Sequence, residues 1–238
     1  MAKSALLKSS LAKKYWMALS GLFLCTFLVG HLFGNLQLLL PVSDAARDQF
    51  NEYALFMTTN PLIKILSYVT YFSIIFHAID GLWLTITNRK ARPQGYVNFK
   101  PSTNTIWASR NMGVLGTVIL AFIVVHLYMF WGQMKFGELK DNLYTTANDQ
   151  EVADLYTLTI KTFQDPQMGL IWAILYGLSM LAITFHLIHG FGSGFQSLGV
   201  NHPKYNGFIR KIGYAFAVLV PLAFAVIPFY IYFVLDKI

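Results

Sequence analysis

The chain is poor in charge and almost free of cysteine. Charged residues make up 12% of its 238 positions, against roughly 25% in an ordinary soluble domain. The single cysteine, Cys25, excludes an internal disulfide, a cysteine-ligated iron–sulfur cluster and a covalently attached c-type haem. It reads as a packing residue inside the first apolar run. No phosphate loop, hydrolase elbow or zinc-protease motif occurs anywhere. The stretch "GFGSGF" at Gly190–Phe195 has glycines at nucleotide-loop spacing, but it closes an apolar run and follows no strand, so the dinucleotide reading fails on context. Small residues at that point favour the close approach of a helix or a ring.

What the chain has in abundance is apolar length. Hydrophobic residues account for 55% of the sequence, and five long runs stand out at about residues 15–40, 62–87, 106–131, 168–191 and 212–235. At about 1.5 Å per residue each crosses a hydrocarbon core of about 30 Å. Lipid admits only helices or closed barrels, and these runs lack the alternation of barrel strands. The expected fold is an all-α membrane protein, a five-helix bundle in one domain over residues 1–238. The start resembles a signal peptide in its basic flank, but the run that follows is too long, so it reads as a retained first helix.

The net charge of +7 records topology and excludes nucleic acid as the partner it implies. Basic residues gather at the N-terminus (Lys3, Lys8, Lys13, Lys14), after the second run (Arg89, Lys90, Arg92, Lys100) and before the fifth (Lys204, Arg210, Lys211). The other two connections are acidic, with Asp44, Asp48 and Glu52 in one and Glu138, Asp141, Asp149, Glu151, Asp154 and Asp165 in the other. Basic connections stay in the cytoplasm, which puts the N-terminus inside. Both acidic connections carry short amphipathic helical patterns. Ser43 is the expected N-cap of one, with Phe50, Tyr53 and Met57 on its apolar face. Val152, Leu155, Tyr156, Thr159 and Phe163 mark the other. Pro221 and Pro228 are expected to kink the fifth helix.

Of the six histidines, His202 reads as ordinary surface and the rest fall inside the runs. Intramembrane ionisable side chains are costly, and function is their default reading; the alternative is a hydrogen bond to a neighbouring helix. Counted from the outer helix ends at about 1.5 Å per residue, His31 lies about 13 Å deep and His126 about 8 Å. His77 lies about 22 Å deep and His186 about 27 Å by the same rise. They sort into an outer pair and an inner pair, in layers about 15 Å apart. Two imidazoles at one depth suit a bis-histidine haem, since imidazole is a good iron ligand and bundles build cofactor sites between facing helices. Gly81 and Gly190, each four residues after a histidine of the inner pair, leave room for a macrocycle on the same helix face. Gly30 and Gly34 flank His31. His189 is open to two readings, a group near a quinone or an interfacial histidine bonding a propionate or water.

The segments "FLVGHLFGNL", "IFHAIDGLW", "FIVVHLYMFW" and "FHLIHGFGSGF", in this order over five helices, resemble the dihaem cytochrome b membrane-anchor subunit of succinate:quinone oxidoreductases, in the class where one five-helix polypeptide carries both haems. The resemblance implies two haem b groups, one held by His31 and His126 and one by His77 and His186. It implies a flavoprotein and an iron–sulfur protein as cytoplasmic partners, a lipid quinone (menaquinone or ubiquinone, the resemblance leaning toward menaquinone) as substrate, and the bacterial cytoplasmic membrane as location. The chain itself has no flavin, nucleotide or iron–sulfur site, so it does not oxidise succinate or reduce fumarate alone.

Quinone chemistry needs an acid or a proton path. Glu52, about ten residues before the second helix, is the candidate near the outer pair, and the resemblance points the same way. Asp80, one turn past His77, is a second candidate, with pairing to His189, Arg89 or a propionate as its structural alternative. Arg110 and Lys135, by type and depth, are candidate propionate donors, as are Asn35 and Gln37. Trp83, Trp107 and Trp131 read as an interfacial belt. The competing functions are the haem anchor of a formate dehydrogenase or hydrogenase, and a haem-free proton-coupled transporter that uses the histidines and Asp80 as a relay.

Overall fold

A computed structural model of the chain describes residues 9–91 and 105–238. Of the basic positions that set the expected topology, Lys3, Lys8, Arg92 and Lys100 lie outside the described residues. Helix α1 runs Ser10–Asn35 and continues as a 3-10 turn over Leu36–Leu39. Next come α2 (Asp44–Thr59), α3 (Pro61–Lys90), the single turn α4 (Trp107–Arg110) and α5 (Met112–His126). A π-helical stretch, Leu127–Gly132, joins α5 to α6 (Gln133–Phe136). A 3-10 turn and a hairpin of β1 (Leu143–Thr145) and β2 (Glu151–Ala153) lead to α7 (Leu155–Gln164), α8 (Gly169–Ser197) and α9 (Pro203–Phe233).

Among the described residues, five helical stretches are long and apolar enough to cross a membrane: Leu11–Leu39, Pro61–Lys90, Met112–Phe136, Gly169–Ser197 and Pro203–Phe233. The chain is a predominantly helical multi-pass membrane protein. The spans extend past the apolar runs because polar caps set the ends. Asn60 is extended at φ −60°, ψ 125°, as the residue before a proline prefers. Its Oδ1 accepts from the Leu62 and Ile63 amides at 3.0 and 3.3 Å, with Pro61 at the first helical position. The fifth span begins at Pro203, nine residues before its apolar run; His202 Nδ1 accepts from the Lys204 amide at 3.2 Å and Asn206 Oδ1 from the His202 amide at 3.1 Å. His202 is therefore a helix cap. Pro221 and Pro228 both lie within the continuous helix α9.

The acidic connections fold. Ser43 Oγ accepts from the Ala46 amide at 3.1 Å, the N-cap expected for α2. The second pattern is helical only from Leu155, because Asp154 caps there by accepting from the Thr157 amide at 3.1 Å. Upstream, Val152 belongs to β2 and pairs with Tyr144 in the antiparallel hairpin.

The chain divides into two compact units, and each of the five spans has a part in both. Unit 1 comprises Met1–Phe27, Val69–Val118 and Ala182–Leu219; unit 2 comprises Leu28–Tyr68, Ile119–Leu181 and Val220–Ile238. Unit 2 holds the main apolar core, in which Leu38, Ala46, Tyr156, Ile160, Phe163, Tyr176, Ile227 and Ile231 are buried together. Gln164 closes one edge of it, donating from Nε2 to the carbonyls of Ile231, Leu235 and Asp236 at 2.9 to 3.4 Å and accepting from the Ile238 amide at 3.1 Å. Elsewhere the spanning helices approach each other closely only at isolated points. Their outward faces are apolar, as in α3 with Leu62, Ile65, Phe72, Ile75, Phe76 and Ile79 all exposed. Lipid solvates such a surface, and close packing between the helices then rests on small residues. Gly194 meets Leu22 at 3.2 Å and Gly113 meets Thr85 at 2.9 Å, measured to the position a Cβ would take.

Candidate functional site: two histidine pairs

Polar rings in these spans meet in pairs, one pair within each unit. In unit 2, His31 of α1 and His126 at the end of α5 have ring centroids 5.8 Å apart with planes at 84°. In unit 1, His77 of α3 and His186 of α8 have centroids 6.0 Å apart with planes at 66°. Two imidazoles bound from opposite sides to one metal ion, each at about 2 Å, place their centroids about 6 Å apart. Edge-to-face aromatic contacts span about 4.5–7 Å, so the separation alone does not discriminate; the hydrogen bonds carry more information.

A histidine that merely ties two helices together shows its bond. His186 Nδ1 is buried and has no hydrogen-bond partner among the described residues, a state that costs about 1–3 kcal/mol. His77 Nδ1 lies 3.2 Å from Ser20 Oγ of α1, and His126 Nδ1 lies 3.2 Å from the Tyr176 hydroxyl of α8. The Asn35 amide donates to the His31 carbonyl at 2.7 Å and reaches His31 Nδ1 only at 3.4 Å. At His77 and His126 the ring turns Nδ1 toward a hydroxyl that is able to accept. That is how metal-bound histidines are oriented by outer-shell partners, with Nε2 left for the metal; the Asn35 amide nitrogen near His31 only donates.

The surroundings are apolar and aromatic around the unit 2 pair. Phe122, Phe130 and Tyr176 lie 5.3 to 6.0 Å from His126, and Phe224 of α9 lies 5.5 Å from His31. Around the unit 1 pair the space is made by glycines on neighbouring helices. A Cβ at Gly21 would stand 3.0 Å from His77 Cε1, and one at Gly116 3.9 Å from His186 Cε1. At Gly81 and Gly190 a Cβ would make ordinary contacts, with Met17 at 3.6 Å and His186 at 3.9 Å. A side chain fits at either by that measure, and no described neighbour requires the glycine there. The residues present thus suit a group ligated by two imidazoles: paired rings, one orphaned nitrogen and glycines set against the inner pair. Among the described residues no three His, Cys, Asp or Glu side chains gather as a metal cluster, and a bis-imidazole centre uses two.

No family model, curated protein or solved structure matches the chain.

The other candidate residues are dispersed. His189 lies one turn from His186 and close enough to act on it electrostatically, and Asp80 stands in the same relation to His77. Arg110 is exposed and donates to the Thr105 carbonyl at 2.7 Å. Lys135 is exposed on α6. Gln37 Oε1 accepts from Gln49 at 3.1 Å. Trp83 receives Lys13 Nζ over its ring at 3.8 Å, while Trp107 and Trp131 stack edge-on to Phe185 and Phe136.

Glu52 lies in unit 2 and accepts from Asn148 Nδ2 at 2.7 Å, as part of a network between α2 and the hairpin. Asp48 accepts from the Tyr144 hydroxyl at 2.7 Å and the Ala147 amide at 3.0 Å. Asp154 receives Arg47 through two nitrogens, with Nε at 3.0 Å, and the Asn51 amide at 2.8 Å. Asn51, fully buried, accepts in turn from the Tyr156 amide at 3.0 Å. Partial burial pushes the Asp154 carboxyl up, but the bonds from Arg47, Thr157 and Asn51 outweigh it and hold the group below its ordinary value. Ser20, Gly21, Gly116 and Tyr176 escaped the sequence reading. The available signals were a serine within an apolar run and the only tyrosine of α8.

Proposed function

We propose that the chain is the membrane-anchor cytochrome b of a succinate:quinone oxidoreductase, carrying electrons between an iron–sulfur partner and a lipid quinone. The observation that supports it is the pairing of four intramembrane histidines at 5.8 and 6.0 Å, joined to the order of their motifs along the helices. In this reading His31 and His126 hold one haem b and His77 and His186 the other. A bis-imidazole haem iron supplies reversible one-electron transfer. The protein's part is to fix the ligand nitrogens, to keep water away from them, and to provide polar groups where the apolar surroundings end. Phe122, Phe130 and Phe224 do the excluding around His31 and His126. Glu52, Asp80 and His189 are the groups available to exchange protons with a quinone, and Arg110 and Lys135 the cations available to propionates. The quinone is menaquinone in this reading, the N-terminus is cytoplasmic, and the flavoprotein and iron–sulfur subunits dock on that side of the bacterial membrane.

The test is a count of haem b extracted per polypeptide, with the reduced-minus-oxidised spectrum of the chain purified in detergent. Two haems are expected. His186→Ala is expected to lose one of them, and His189→Ala to keep both. A folded, membrane-inserted chain without haem would sink the proposal and return the histidines to a transporter's proton relay.

A further inference from the structure

The hydroxyl beside His77 has a direction that follows from proton counting. A serine hydroxyl carries one proton. That of Ser20 is committed to its own helix, because Oγ donates to the Trp16 carbonyl at 2.7 Å, with the Met17 carbonyl at 3.3 Å as the alternative acceptor on the same turn. The contact with His77 Nδ1 at 3.2 Å then has Ser20 as acceptor, so the proton on it belongs to His77. His77 is thereby held as the Nδ1–H tautomer with a bare Nε2 lone pair. Gly21, where a Cβ would stand 3.0 Å from His77 Cε1, lets α1 come close enough for this bond.

A corresponding contact stands in unit 2, where the Tyr176 hydroxyl lies 3.2 Å from His126 Nδ1 and has Met129 Sδ at 3.9 Å as a second acceptor for its own proton. With iron on His126 Nε2 the ring proton would stay on Nδ1, and Tyr176 would accept it. The phenol ring is enclosed by Phe122 and Phe163 at centroid distances of 5.0 and 5.1 Å, which holds its oxygen beside His126.

We propose that Ser20 and Tyr176 are positioning residues, each accepting the Nδ1 proton of one histidine in its pair and so presenting Nε2 as the ligating atom. This inference rests on the haem reading above. An acceptor on Nδ1–H makes an imidazole a stronger donor and favours the ferric form of the iron it binds. Removing the acceptor favours the ferrous form and raises the midpoint potential of that one haem.

The experiment is a spectroelectrochemical titration of the purified full chain, with haem counted in the same samples. Ser20→Ala and Tyr176→Phe are each expected to retain two haems and to raise one midpoint by the equivalent of a tenfold change in ferric-over-ferrous preference, about 59 mV for one electron. The step moved by one variant is expected to stay put in the other, because the hydroxyls serve different pairs. Ser20→Thr, which keeps a hydroxyl able to donate backward and accept from His77, is expected to restore the wild-type midpoint. If Ser20→Ala fails to accumulate, Ser20→Cys, a poor acceptor of similar size, is expected to move the same step. Two haems with both midpoints unmoved in these variants, or both variants moving one and the same step, would overturn the proposal while leaving the haem reading intact. A wild-type chain that binds no haem would overturn the haem reading itself.

Discussion

Asp154→Ala should loosen the connection between β2 and α7 by about a hundredfold in local opening. Three interactions are lost together. The N-cap bond to the Thr157 amide contributes about 1 kcal/mol. The Asn51 amide on the carboxylate contributes about 1.5–3 kcal/mol as a hydrogen bond to a charge. The Arg47 ion pair, with the two side chains 30% and 14% exposed, adds less than about 1 kcal/mol because solvent screens it. These groups share partners and do not add fully, so the loss is about 3 kcal/mol, or about two powers of ten at 1.4 kcal/mol each. Amide hydrogen exchange of Tyr156 and Thr157, followed at neutral pH in lipid nanodiscs, reads this directly. Arg47→Ala should accelerate the same amides by tenfold or less. An acceleration below about threefold in Asp154→Ala would refute the energetic reading of the network, as would equal acceleration in the spanning helices. The pH dependence has a fixed sign. The folded Asp154 carboxyl titrates below its ordinary 3.8, so its contribution is fully present above about pH 5 and is lost as pH falls through the folded value. Protection of Tyr156, corrected for intrinsic exchange, should be flat from pH 7 to 5 and fall below about pH 4. Asp154→Asn should abolish that fall.

Other perturbations separate space from hydrogen bonding. Gly21→Ala drives a methyl to 3.0 Å from His77 Cε1, so it should lower the haem content to about one per chain, whereas Ala at Gly192, with nothing within 4 Å, should leave two; extracted haem per polypeptide decides. Gln164→Leu strips donors from three carbonyls at the end of α9 and should lower the detergent melting temperature, at about 1–3 kcal/mol for the buried groups left unpaired.

The spans were legible because lipid imposes a length and a composition that ordinary folds do not. The cap at Ser43 was legible because the signal is local: a serine, an acid and an apolar periodicity within one turn. The hairpin was not. Its strands have three residues each, its turn depends on Asp149 at φ 56°, and Asp48, 99 residues before Ala147, holds that turn in place. No window along the chain contains both partners. The π-helical stretch after His126 and the turn of Ser20 toward His77 are likewise set by neighbours on other helices. The sequence named the four paired histidines but not the hydroxyls beside them, since a serine or tyrosine in a span has many uses and its histidine lies on another helix.

The same separations set a timetable for synthesis. Arg47 and Asp154 are 107 residues apart, and at roughly 5–20 residues per second Arg47 waits about 5–20 s for its partner to leave the ribosome. The histidine pairs interleave along the chain, 31 with 126 and 77 with 186. No hairpin of consecutive spans contains a complete pair, so the nascent first two spans present two unmatched imidazoles until the third arrives, and one until the fourth. Insertion into the membrane must therefore precede completion of either pair, and a chain truncated after the second span would carry half of each.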